Sequence, residues 1–186
     1  MGPPERGFRQ LGEEVAFRGF LLDVVEGTFE APDGTRFERD IVRHPGAVAV
    51  VAVNADGAVV LVHQYRGAVD RWILEIPAGT RDVDGEPPEE TAQRELAEEA
   101  GFRADRLVFL AEILNSPGFC DESTGIYLAT GLHAVPDHRD GVEERHLTVV
   151  EVPLGDIDAM VDDGSIVDAQ TILGVGLARR RLAEGG

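Results

Sequence analysis

Residues 86–101 put a row of carboxylates and a narrow apolar stripe on one short helix. A helix built that way must lay the stripe on a core and leave the acids along an open edge. The segment Gly85-Glu86-Pro87-Pro88 marks its start, because proline suits the first turn. Glu89 and Glu90 suit the positive end of the helix dipole, and Gly101 fits the left-handed position that closes a helix. Glu95, Glu98 and Glu99 are spaced i, i+3 and i+4 and gather on one side, while Ala92, Leu96 and Ala100 form the stripe. Like charges at this spacing cost a few tenths of a kcal/mol per pair, and only Arg94 compensates them on the helix. A hard divalent cation with oxygen ligands is the expected counter-charge.

Acidic runs on helices are most often solvated faces, but the spacing here is specific. Gly79, Glu86, Arg94-Glu95-Leu96, Glu98-Glu99 and Gly101-Phe102 together resemble the Nudix box, a glycine and a glutamate followed by R-E-U-x-E-E-x-G-U with U apolar. The one departure is the stretch between Gly79 and Glu86, which holds six residues where the usual pattern has five. The extra residue falls among Asp82, Asp84 and Gly85, in a turn that tolerates insertion. The resemblance implies hydrolysis of a nucleoside diphosphate linked to another moiety, with Mg²⁺ as cofactor and Mn²⁺ as its alternative. It also implies Glu95 and Glu99 as central metal ligands, Glu98 assisting, the backbone carbonyl of Ala78 as a further ligand, and Arg94 orienting the carboxylates. Glu86 belongs to the box too, with helix capping and catalysis as its two readings.

At 186 residues the chain suits one domain with a full core and a small terminal appendage. Thirty-five acidic residues stand against 17 basic ones, all arginine, for a net charge of -18. That balance argues against a nucleic-acid or anionic-membrane partner. The single cysteine, Cys120, excludes an intramolecular disulfide and a cysteine-based zinc cluster. Histidines 44, 63, 133, 138 and 146 show no metal-ligand spacing. The opening MGPPERGFRQ lacks an apolar signal core and no run approaches a membrane span, so a cytoplasmic location is expected.

Residues 15–45 hold apolar pieces around a turn at Ala31-Pro32-Asp33-Gly34, as in a hairpin. The β-branched runs 47–53 and 58–65, split by Asn54-Ala55-Asp56-Gly57, predict a second hairpin, and 72–76 a short strand. Further strands are expected over 107–114, 124–129 and 147–152, and helices over 154–161 and 169–182. The irregular alternation predicts an α/β fold with a mixed β-sheet between helices. The Nudix α/β/α sandwich fits it, with residues 1–45 as an N-terminal β-hairpin appendage and 46–186 as the hydrolase domain.

Two segments outside the box narrow the substrate. Gln64-Tyr65-Arg66 with Glu75-Ile76-Pro77-Ala78-Gly79, and Ser116-Pro117-Gly118-Phe119-Cys120-Asp121-Glu122, resemble the Q-Y-R, E-U-P-A-G and S-P-G-F-x-D-E patterns of the ADP-ribose pyrophosphatase branch. This resemblance implies cleavage of ADP-ribose to AMP and ribose 5-phosphate. Arg66 would bind the diphosphate, with Arg39, Arg43 and Gly118 as further substrate contacts. A loop glutamate before the last central strand would act as base, Glu143 first and Glu144 second. Trp72 is expected in the core, and the first 45 or so residues are expected to build a homodimer and contribute to the partner's adenosine pocket. Two rivals stand beside this reading: a hydrolase of another nucleoside diphosphate sugar or a dinucleotide, and a ligand-sensing module without catalysis.

Overall fold

The computed structural model describes residues 7–136, 141–142 and 144–184. They divide into two compact units, one comprising the chain up to Gly46 with Leu114–Ser123, the other Ala47–Ile113 with Thr124 onward.

In the first unit the Ala31-Pro32-Asp33-Gly34 turn forms as its residues require. Gly34 adopts φ 84°, its N–H donates to the Ala31 carbonyl at 2.9 Å, and the Asp33 carboxylate accepts from the Thr35 N–H at 2.9 Å. Strands β1 (Arg9–Arg18), β2 (Asp23–Glu30) and β3 (Arg36–Arg43) make an antiparallel sheet in that order. The expected hairpin is therefore one strand larger. The apolar piece around residues 17–25 is broken by a turn in which Gly19 N–H donates to Leu22 O at 2.9 Å. The 114–123 segment joins the unit through backbone bonds, Val42 N–H to Phe119 O at 2.7 Å and Asp121 N–H to Val42 O at 3.1 Å.

The second unit is organised around β4 (Ala47–Val53), whose every residue is buried. Its alternate side chains serve two cores, as a strand's period of two dictates. Val48, Val50 and Ala52 meet Ala92, Leu96 and Ala100 of α1 (Pro88–Ala100), while Ala49, Val51 and Val53 share a cluster with Ile157 of α2 (Ile157–Asp162) and with Val175 and Ala178 of α3 (Ala169–Glu184). Helices thus cover both faces of the sheet. On the α3 side Gly174 permits close approach: a β-carbon there would stand 3.0 Å from Val51 Cγ2 and 3.2 Å from Ile76 Cδ1.

The sheet has seven strands among the described residues. Its path runs β10 (Thr148–Pro153), β5 (Ala58–Arg66), β4, β9 (Ser123–Ala134), β8 (Phe102–Leu114), with β6 (Arg71–Glu75) paired to β5 and β7 (Ala78–Thr80) paired to β4. β4 runs parallel to β9 and antiparallel to β5 and β7, so the sheet is mixed, as expected. The Asn54–Gly57 turn forms with Asn54 Oδ1 accepting from Asp56 and Ala58 N–H groups. Trp72 departs from expectation: it is 45% exposed and packs beside His63 and Tyr65 rather than in the core. Placed two residues before Leu74 on the α2/α3 side of a short strand, it lies beyond the helices' cover.

Candidate active site

Helix α1 starts at Pro88 after Pro87 and ends where Gly101, at φ 72°, donates its N–H to the carbonyls of Ala97 and Leu96. These ends set the rotation of its side chains. The stripe faces the sheet, and the acids fall against β7 at the rim of a cleft of about 610 Å³. Gln64 to Ala68, Ala78 to Thr80 and Glu95, Glu98 and Glu99 line this cleft together with Arg94, Asp82 and Gly141.

The acids are less exposed than a solvated row would be. Glu95 and Glu99 are 9% and 5% exposed. Glu99 Oε2 accepts the Ala78 backbone N–H at 3.0 Å, which ties the helix to β7. Gly79 leaves the space that Glu95 fills, since a β-carbon there would stand 1.9 Å from the Glu95 carboxyl carbon. The box glycine therefore has a steric reason: any side chain would displace a carboxylate.

Arg94 gathers the acids. Its Nε and Nη2 donate to Glu86 at 3.1 Å each, Nη1 donates to Glu95 at 2.7 Å and Glu98 at 3.0 Å, and Asp82 lies 3.9 Å away. The Glu86 hydrogen bonds, with the charges of Glu95 and Glu98, raise the Arg94 pKa far above its ordinary value despite partial burial. Arg94 in turn holds the Glu86 carboxyl below the usual carboxylate range. Glu86 is thereby a partner of Arg94 rather than a side-chain cap, for α1 has no side-chain cap bond.

On another wall stands Arg66, at the end of β5. Its Nε and Nη2 donate to the buried Glu75 carboxylate at 2.9 and 2.6 Å. Burial opposes its charge, but Glu75, with the more distant Glu99 and Asp168, outweighs burial and raises its pKa. Glu75 carried no expectation from sequence. The signal was there in Trp72-Ile73-Leu74-Glu75-Ile76, where one acid in an apolar strand demands a buried partner.

The expected residues thus fall into groups. Ala78, Arg94, Glu95, Glu98, Glu99 and Arg66 line one cleft. Arg39, Arg43 and Gly118 line a different pocket, of about 420 Å³ within the first unit, with Phe29, Pro117 and Phe119. There Arg39 lies over the Phe37 ring at 4.7 Å, and Arg43 pairs with Glu13 and Asp121. Glu143 lies outside the described residues; Glu144 begins a short 3-10 turn, Glu144–His146, and its side chain is likewise outside them.

The donor set of the acidic wall suits a hard cation: carboxylates, with backbone beside them and a glycine keeping the space clear. Among the described residues no three acidic, histidine or cysteine side chains stand arranged to hold a metal as they are, and Arg94 occupies Glu95 and Glu98 instead. Ligation by these groups requires their rotation away from Arg94. No helix of the described residues is long and apolar enough to cross a membrane.

Comparison with known proteins shows what the chain is similar to. Residues 42–171 match the model of the NUDIX domain. The chain is 39% identical over 163 residues to an ADP-ribose pyrophosphatase of Bacillus subtilis, covering 88% of each. It is 38% identical over 171 residues to an ADP-ribose pyrophosphatase of Mycobacterium tuberculosis, covering 92% of this chain and 83% of that one. A crystal structure of an ADP compounds hydrolase superposes with a TM-score of 0.83 at 27% identity, covering 96% of both chains.

The Gly79 contact generates a direct expectation. Gly79→Ala forces Glu95 to move and should lower turnover by at least about tenfold, the usual order when a group supporting a metal site is disturbed. Far-UV circular dichroism should stay unchanged. Wild-type turnover in this variant would contradict the steric role.

Proposed function

We propose that this chain, which belongs to the Nudix family, cleaves the diphosphate of ADP-ribose with water to give AMP and ribose 5-phosphate. The observation that carries the reading is the meeting, in one cleft, of the acidic wall of α1 with the guanidinium of Arg66 held at the end of β5. The names of the relatives point to the same substrate. In the reaction a water oxygen forms a bond to one phosphorus, the bridging P–O bond breaks, and the bridging oxygen leaves with the other phosphate.

In this reading the carboxylates of Glu95, Glu98 and Glu99 and the Ala78 carbonyl hold the cofactor, Mg²⁺ or alternatively Mn²⁺. When bound, a divalent cation supplies Lewis-acid neutralisation of the diphosphate charge. Arg94 orients the carboxylates through charge-assisted hydrogen bonds. Arg66 binds the diphosphate. Glu143, with Glu144 as second choice, takes the proton of the attacking water, a reading that rests on their place before β10 in the sequence. Arg39, Arg43 and Gly118 are further substrate contacts in this reading.

The proposal extends to assembly: residues 1–45 are an appendage that builds a homodimer and contributes to the partner's adenosine pocket, with the hydrolase domain over 46–186. Every residue of β1 is exposed, Leu11, Val15 and Phe17 among them, and Phe8 and Phe20 are exposed just beyond its ends, an apolar content unusual for a segment facing only water. The cytoplasm is the proposed location.

A panel of nucleoside diphosphate compounds, with products resolved by chromatography, tests the reading. ADP-ribose should have the highest kcat/KM, above GDP-mannose, NADH and nucleoside triphosphates, and excess chelator should abolish turnover. Another compound ahead by tenfold or more would move the protein to a sister activity. Light scattering tests assembly: a dimer is expected, and the monomer mass of 20.1 kDa at working concentration would contradict it.

A further inference from the structure

Two arginines line the cleft among its described residues, and they are not equivalent. Arg94 has Nε, Nη1 and Nη2 engaged with carboxylates of α1 and of the turn before it. It has little to offer an anion. Among the described residues Arg66 is engaged along one edge: Nε and Nη2 meet Glu75, and Nη1 has no acceptor there. In a chain of net charge -18, with three glutamates on the facing helix, the direction of that one guanidinium governs whether an anionic substrate can settle.

Glu75 controls that direction. It is 5% exposed, at the end of β6. The β5–β6 register pairs Val62 with Glu75 and Gln64 with Ile73, so Gln64, Arg66 and Glu75 rise from the same side of the sheet. Gln64, itself buried, donates Nε2 to Glu75 Oε2 at 2.7 Å, which fixes the carboxylate before Arg66 grips it. The side-on pairing through Nε and Nη2 then stops rotation about the end of the arginine and leaves its other edge without an acceptor among the described residues. A carboxylate needed merely for neutrality would not require this chain of amide, carboxylate and guanidinium.

We propose that Glu75 is a positioning residue for substrate: held by Gln64, it fixes the Arg66 guanidinium with one edge turned to the diphosphate. The proposal rests on the reading of the cleft as a diphosphate site. Its content is preorganisation, since a freely rotating arginine loses conformational freedom on binding and a clamped one does not.

The test is a double-mutant cycle on Glu75→Gln and Arg66→Ala, with whichever compound of the panel the wild-type protein cleaves best as the probe. A change of substrate therefore defeats the functional reading without removing this comparison. Two quantities are read: KM against kcat with metal, and Kd by calorimetry in excess chelator, where no turnover intervenes. Glu75→Gln should raise both KM and Kd by about 10- to 100-fold, the scale of a lost charge-assisted hydrogen bond, with kcat reduced much less. In the Arg66→Ala background the same change should add nothing. Wild-type KM and Kd in Glu75→Gln, or an equal effect in both backgrounds, overturns the proposal. Thermal melts check folding, and Arg66→Lys gives a second route that leaves Glu75 in place. It keeps the charge but not the edge that Glu75 grips, so it should weaken binding too; wild-type affinity in Arg66→Lys overturns the proposal as well.

Discussion

Mutual repulsion among Glu95, Glu98 and Glu99 on one turn of α1 is the constraint on which the second unit depends. Isolated, such a helix would expel its acids to water. Here the apolar stripe is pinned to β4 through Leu96 and its neighbours, and two of the three acids are drawn into the protein. Burying a carboxylate is costly unless hydrogen bonds or charges answer it. Ala78 N–H answers Glu99, and Arg94 answers Glu95 and Glu98. Arg94 thus stands where a cation is needed.

The sheet supplies the precision. β4 has small and β-branched side chains alternating between two helical layers, which allows α1 and α3 to approach closely on opposite faces. β7 hydrogen-bonds to β4 and carries both the Ala78 amide and the Gly79 gap, so the strand that supports the helix also shapes its acidic wall. Arg66 and Glu75 sit on the adjacent β5–β6 pair. Two walls of opposite character therefore rise from one sheet, joined through the pairing of β4 with β5.

Much of this was legible in the sequence because the signals were local. Gly101 marks the helix end through a backbone conformation, Asn54 to Gly57 close a hairpin by their own hydrogen bonds, and the spacing of Arg94, Glu95, Glu98 and Glu99 is written in consecutive turns. What escaped was long-range. β1 pairs with β2 although its sequence alternates weakly, and the apolar piece that includes Phe17 is cut by a turn that only that pairing requires. Trp72 looked like core, yet its exposure depends on where α2 and α3 end over the sheet. The Glu75–Arg66 pair joins residues nine positions apart on two strands whose register is set by the β5–β6 turn. Burial of Glu95 and Glu99 follows from β7 and Gly79, not from the helix itself.

The central claim is that the acids of α1 form a cation site in which Arg94 is a temporary partner. Calorimetric titration of the protein with Mg²⁺, in the absence of nucleotide, tests it most directly, with wild type compared against Glu99→Gln. The account predicts saturable binding that weakens by at least about tenfold in the variant, the loss that follows removal of a group at a metal site, while the fold is retained. Identical isotherms for the two proteins would contradict it.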